Sequence, residues 1–112
     1  MSNGIRVELY FPDDEMHQHV LIEKWVFDAA RWAGISGGAI FKAYAGYGKA
    51  HGELRNDGIF DLDRTLPMMA TFITTPAIAQ KFLDYLAKEG LELFYTRSEV
   101  EYGRVGMHPL RI

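Results

Sequence analysis

A chain of 112 residues with 48% apolar and 24% charged side chains has the size and composition of one globular domain with one core. No run nears the roughly 18 apolar residues of a membrane-spanning helix, and a formal net charge of -3 at neutral pH opposes general nucleic-acid binding, which needs a basic surface to neutralise phosphate. The absence of cysteine excludes disulfides, thiolate metal sites and cysteine nucleophiles, and makes a reducing cytoplasm the expected setting.

The polar start Met1 to Gly4 runs straight into Ile5 without the basic and apolar regions of a secretory signal, so secretion is not expected. Ile5, Val7, Leu9 and Phe11 alternate with Arg6, Glu8 and Tyr10, the period-2 pattern of a half-buried first strand. Pro12-Asp13-Asp14-Glu15 offers a turn, an N-cap in either aspartate and acidic side chains suited to the positive end of a helix dipole. A helix is therefore expected from about Glu15 to Ala33, with Leu21, Ile22, Trp25, Val26, Ala29, Trp32 and Ala33 as its apolar stripe and Gly34 ending it.

Gly37 and Gly38 lead into a second expected strand, Ala39 to Tyr47. From Gly48 to Leu66 no periodic pattern survives, and a charged, glycine-punctuated connection of this length inside a small domain is usually functional or mobile. Pro67 to Thr74 reads as a third strand, since proline is tolerated at a strand's first position. Thr75-Pro76 gives an N-cap and a first-turn proline for a second helix, with Ile78, Ala79, Phe82, Leu83 and Leu86 as its buried stripe and Gly90 closing it. Leu91 to Val105 is strand-rich, but its parity slips between Tyr95 and Val100, for which a bulge or two short strands would account.

Strand, helix, strand, long loop, strand, helix, strand is the split βαβ order, an α+β domain of the ferredoxin-like type with an antiparallel sheet covered by two helices on one face. By parity the uncovered sheet face carries Tyr10, Ile40 and Tyr44 beside Arg6, Glu8 and Lys42. Aromatic side chains mixed with Arg and Lys are common where a surface becomes an interface, so homo-oligomerisation through this face is expected.

The chain has no Walker loop, dinucleotide fingerprint, nucleophile elbow or paired-histidine zinc helix. His17 and His19 would diverge by about 200° on a helix and read as solvated helix-start residues. His51 lies in the long loop between Lys49 and Arg55, where an imidazole could donate to a phosphate or stack on a base. Gly46-Tyr47-Gly48 sits where the second strand gives way to the loop and could let backbone N–H groups approach a ligand. Glu99 and Glu101 share a face of the last strand but read as solvated, and the loop acids Asp57, Asp61 and Asp63 lack calcium-loop spacing, so neither catalytic residues nor a metal are assigned.

The series Gly37-Gly38-Ala39-Ile40-Phe41-Lys42, then Gly46-Tyr47-Gly48, then His51 and, after the loop, Leu66-Pro67 resembles the PII-like family known as domain of unknown function 190. The resemblance runs from about Ile5 to Tyr102; Lys42-Ala43 stands where that family usually has Arg-Gly, and residues 103–112 extend beyond the match. It implies a ferredoxin-like fold and a trimer with clefts between subunits. It also implies a small anionic ligand, an adenine nucleotide by superfamily kinship, and a mobile loop, residues 48–66, presented to a partner protein. Lys42, the backbone of Gly46, Tyr47 and Gly48, His51 and Arg55 would hold the ligand's charge. The second function considered is a small dimeric ferredoxin-like enzyme, an oxygenase or isomerase, acting on a hydrophobic substrate between sheet and helices, with Trp25 and Trp32 as its support.

Overall fold

The computed structural model of the protein describes residues 2–45 and 67–106. In chain order it has β1 (Ser2–Pro12), a short hairpin of β2 (Met16–His17) and β3 (Val20–Leu21), α1 (Ile22–Ala33), β4 (Gly38–Lys42), β5 (Pro67–Thr74), α2 (Pro76–Lys88) and β6 (Phe94–Tyr102). The four long strands form one sheet in the order β4-β5-β1-β6, every neighbouring pair antiparallel. This is the ferredoxin-like arrangement.

The alternation in β1 acts as expected: Ile5, Val7, Leu9 and Phe11 are buried in one cluster with Ile22, Val26, Ala29 and Ala33 of α1 and Ala79, Phe82 and Leu86 of α2. Phe72 of β5 centres the layer, edge-on to Phe27 of α1 at 6.1 Å and to Phe82 of α2 at 5.1 Å. Each fully buried side chain of this size contributes about 1.5–3 kcal/mol. Gly38 is required here, because a Cβ at that position would run into the Phe72 ring.

The end of α1 and the start of α2 are as the sequence indicates. Gly34 adopts φ 101° and returns its N–H to the carbonyls of Ala30 and Arg31, the left-handed turn that favours glycine. Thr75 accepts the Ile78 N–H at 3.3 Å through its side chain, and Pro76 occupies the first turn of α2.

The start of α1 differs from expectation. Residues 16–21 form a hairpin, so the helix begins at Ile22 with Leu21 at its N-cap and no side-chain cap; neither Asp13 nor Asp14 serves. Gln18 and His19 sit at φ 53° and 66°, the two left-handed residues of a two-residue hairpin turn, a position where Asn-Gly is the usual choice. Because Gln-His carries no such turn signature, the helical spacing of α1 extends backward through it when read from sequence alone.

Two expectations for the strands also change. β4 stops at Lys42, although Ala43 still donates its N–H to the Pro67 carbonyl at 2.9 Å; positions 46 and 47 lie outside the described residues. β6 pairs with β1 in one unbroken register from Ser2↔Tyr102 to Tyr10↔Phe94, without a bulge. The parity slip has another cause: the helix-side positions after Tyr95 are Arg97, Glu99 and Glu101, exposed residues, while Val100 and Tyr102 are half-buried on the opposite side. The Tyr102 ring lies against Gly4 there.

Candidate functional site

One end of the sheet gathers the termini of four strands. β1 ends at Pro12, opposite the first residue of β5, Pro67; β4 ends at Lys42, opposite Met68; and Tyr10 is opposite the first residue of β6, Phe94. At this end the Lys42 ammonium pairs with the Asp13 carboxylate at 2.5 Å, and the lysine side chain remains 57% exposed. Asp13 is there because Pro12 ends β1 and the following turn swings it toward β4.

The strand register also fixes the uncovered face. Ile40 is opposite Ala70 and joins the core side, whereas Phe41 is opposite Met69 on the open side; the expected parity of β4 is therefore reversed for Ile40 and Lys42. Tyr44 lies beyond the strand and is 97% exposed. The pairings Phe41↔Met69, Met69↔Tyr10 and Tyr10↔Phe94 place four large side chains in one row across all four strands. Phe41 and Phe94 are largely solvent-facing, at 56% and 40%, and the Tyr10 and Phe94 rings meet at 5.6 Å.

Beside this row the open face is polar and centred on Glu8. Its carboxylate accepts from the Tyr10 hydroxyl at 3.4 Å and the Thr96 hydroxyl at 3.2 Å, and faces the Arg6 guanidinium at 3.6 Å. Burial pushes the Tyr10 hydroxyl pKa up, the Glu8 charge and its hydrogen bond add to the rise, and Arg6 opposes it. The arrangement is an amphipathic plate, with an aromatic band at the end where β4 leaves the sheet and a hydrogen-bonded carboxylate behind it.

Of the ligand residues expected from sequence, Lys42 stands at this end of the sheet; Gly46, Tyr47, Gly48, His51 and Arg55 lie outside the described residues. Asp13, Phe41, Met69 and Phe94 were not among the expected site residues. Phe41 and Met69 can be found only with the register of β4 and β5, and Asp13, an N-cap candidate by sequence, lies well before α1, which begins at Ile22.

His17 and His19 also depart from their expected role. His17 Nε2–H donates to the Glu89 carbonyl at the end of α2 at 2.9 Å, its ring meets the Trp25 indole edge-on at 5.2 Å, and Trp25 Nε1–H donates to the His17 carbonyl at 2.8 Å. His17 thus pegs the β2–β3 hairpin against both helices, and His19 occupies the turn. Trp32, placed in the buried stripe by spacing, is 57% exposed, stacked on Tyr85 at 4.7 Å with the Lys81 ammonium 4.6 Å from its ring centre.

A UPF0166 protein of Aquifex aeolicus (strain VF5) is 28% identical over 78 residues, covering 70% of this chain and 73% of that protein. The structure of CPII from Thiomonas intermedia K12 bound to ADP, AMP and acetate superposes with a TM-score of 0.65 at 12% identity, over 91% of this chain and 90% of that one. CPII, a nitrogen regulatory PII-like protein, bound to ADP, AMP and bicarbonate gives a TM-score of 0.64 at 13% identity over 92% and 96%. At such identities the likeness shows the fold. The family model DUF190, described as "Uncharacterized ACR, COG1993", matches residues 4–102, a span that begins in β1 and ends with the last residue of β6, and by that match this chain belongs to the DUF190 family.

Proposed function

We propose that this protein is a PII-like binding and signalling module of the cytoplasm rather than an enzyme, a homotrimer that takes a small anionic ligand of the adenine-nucleotide class between its subunits. The observation that carries this reading is the Phe41–Met69–Tyr10–Phe94 row on the uncovered face. A row of three aromatic side chains and a methionine across a sheet this small is costly in water and calls for a partner surface. Copies packed through these faces would bring the strand ends bearing Lys42 next to one another. Lys42 would then act with the Gly46 to Gly48 backbone, His51 and Arg55 on the ligand's charge, and residues 48–66 would be presented to a partner protein. That CPII, with the same fold, was obtained with ADP and AMP supports the choice of ligand class.

The oxygenase or isomerase reading needs a substrate space between sheet and helices. That layer is filled by Leu9, Phe11, Val26, Phe72 and Phe82, each at most 2% exposed, and Trp25 holds the hairpin instead of lining a chamber. Among the described residues no helix is long and apolar enough to cross a membrane.

The test combines the mass in solution with calorimetry against AMP, ADP and ATP. Three copies and heat of binding that disappears in Lys42→Ala are expected. A monomer at high concentration, or no heat with any adenine nucleotide at millimolar concentration, overturns the reading.

A further inference from the structure

We propose that the hollow between the β2–β3 hairpin and α1 binds a small amphipathic carboxylate, a molecule with an apolar body and a single anionic head. The hollow has a volume of about 560 Å3, within the roughly 300–1,000 Å3 usual for small-molecule sites. Its hairpin wall is apolar: Met16 and Leu21, paired directly across the hairpin, with Val20 beside them and Phe27 of α1 facing them. Met16 and Leu21 are exposed, so the hairpin holds two large apolar side chains in water at the rim of a cavity. Covering them with the apolar body of a ligand relieves that exposure, and the unbranched Met16 adapts its shape to what covers it.

The polar wall sets the charge of the ligand. Lys24, Asp28 and Arg31 follow one another along α1 at i, i+4 and i+7, on one side of the helix, and all three line the cavity. Asp28 gives one carboxylate oxygen to the Lys24 ammonium at 2.9 Å and the other to the Arg31 guanidinium at 3.0 Å. One carboxylate thus serves two cations. Each cation spends a single donor on it among the described residues, whereas an ammonium has three donors and a guanidinium five, so a second carboxylate can be received between them. Glu23 also lines the cavity, about 100° around the helix from Lys24 and one turn before Phe27, where its charge repels an anion. The head is therefore directed to Lys24 and Arg31, and the body to the hairpin. The turn residue His19 lines the cavity as well, held at φ 66° beside Gln18 at 53°. Non-glycine residues kept in the left-handed region cluster at ligand clamps, and this turn, which lacks the relaxed Asn-Gly pair, keeps an imidazole N–H donor at the cavity.

None of these residues belongs to the open sheet face or to the ligand set proposed above, so this site stands or falls separately from that reading. The test follows the methionine methyl signals of the full chain by NMR, with decanoate as the probe. Met16 lines this cavity and Met69 belongs to the row on the open face, so one spectrum separates the two apolar surfaces. Decanoate is expected to move the Met16 methyl saturably and to leave Met69 in place. Acetate, which is the head alone, and decyltrimethylammonium, which is the body with the opposite charge, are expected to move neither. Lys24→Gln and Arg31→Gln should each weaken decanoate about ten-fold, and Asp28→Asn, which releases both cations, should tighten it about two-fold or more. All three positions are exposed, so these variants keep the fold. A Met16 methyl that decanoate leaves unmoved, or that decyltrimethylammonium moves as far, or an affinity indifferent to both cation variants, overturns the proposal.

Discussion

The Asp13 carboxylate sits on the Lys42 ammonium, so an anionic ligand that uses Lys42 must first displace it. Such a partly exposed pair contributes of order 0.2–1 kcal/mol. Asp13→Asn is therefore expected to tighten adenine-nucleotide binding by about 1.4- to five-fold, read by calorimetry, and an unchanged affinity would take Lys42 out of the ligand site. The second residue with a clear electrostatic consequence is Tyr10. Its folded pKa is raised, chiefly by burial and then by Glu8, so the neutral phenol is favoured by folding. Below the unfolded value near 10 the hydroxyl is protonated in both states and the stabilisation is fully present. As pH climbs past that value the unfolded chain loses its proton first, and the contribution fades until the pH exceeds the raised folded value. Tyr10→Phe should therefore lose less stability than the wild type between neutral and strongly alkaline pH, measured by denaturant titration at several pH values; parallel curves would show that Tyr10 is not the group responsible.

The elements that could be read from sequence are those whose local chemistry and tertiary role agree. β5 and α2 appear with the bounds that proline at a strand start, Thr75-Pro76 and Gly90 indicate, and β1 follows its alternation. The hairpin at 16–21 was illegible because its turn is built from Gln18 and His19, which only tertiary contacts hold in the left-handed region: the His17 bond to the Glu89 carbonyl, the Trp25 bond to the His17 carbonyl, and the Ile22 N–H to the Glu15 carbonyl at 3.1 Å. The slip in β6 was equally misleading, since apolar parity reports which face is covered and α2 leaves the far half of that strand open. Each left-handed non-glycine residue costs about 1–2 kcal/mol relative to glycine in the same conformation, partly offset by the extra freedom glycine has when unfolded. Replacing Gln18-His19 by Asn-Gly is expected to raise stability by about 1 kcal/mol, a rise of roughly 4–8 °C in melting temperature for a domain near this size. A drop instead would mean that the Gln18 or His19 side chain makes a contact worth more than the turn strain, which would point to a role for the hairpin tip.

At the scale of the whole molecule the sheet has two unlike sides. One is sealed by α1 and α2 around Phe11, Phe72 and Phe82, and the other shows Phe41, Met69, Tyr10 and Phe94 in line with the Glu8 cluster beside them. That the open face would be partly aromatic was legible from Tyr10; which residues of β4 and β6 join it was not, because strand parity becomes position only once the register is known. The row predicts how assembly should respond to charge. Phe41 and Phe94 are at the two ends of the row and contribute little to the monomer core, so a carboxylate at either position is tolerable in an isolated chain in water. In an oligomer closed through this face the same carboxylate is desolvated without a partner, which costs several kcal/mol per copy. Phe41→Glu and Phe94→Glu are therefore each expected to reduce the solution mass to one third while leaving the far-ultraviolet circular dichroism unchanged and shifting the unfolding midpoint, once extrapolated to low concentration, by less than about 1 kcal/mol. A variant that keeps the wild-type mass would place the interface elsewhere, and one that loses its fold as well as its mass would show that the row stabilises the chain itself.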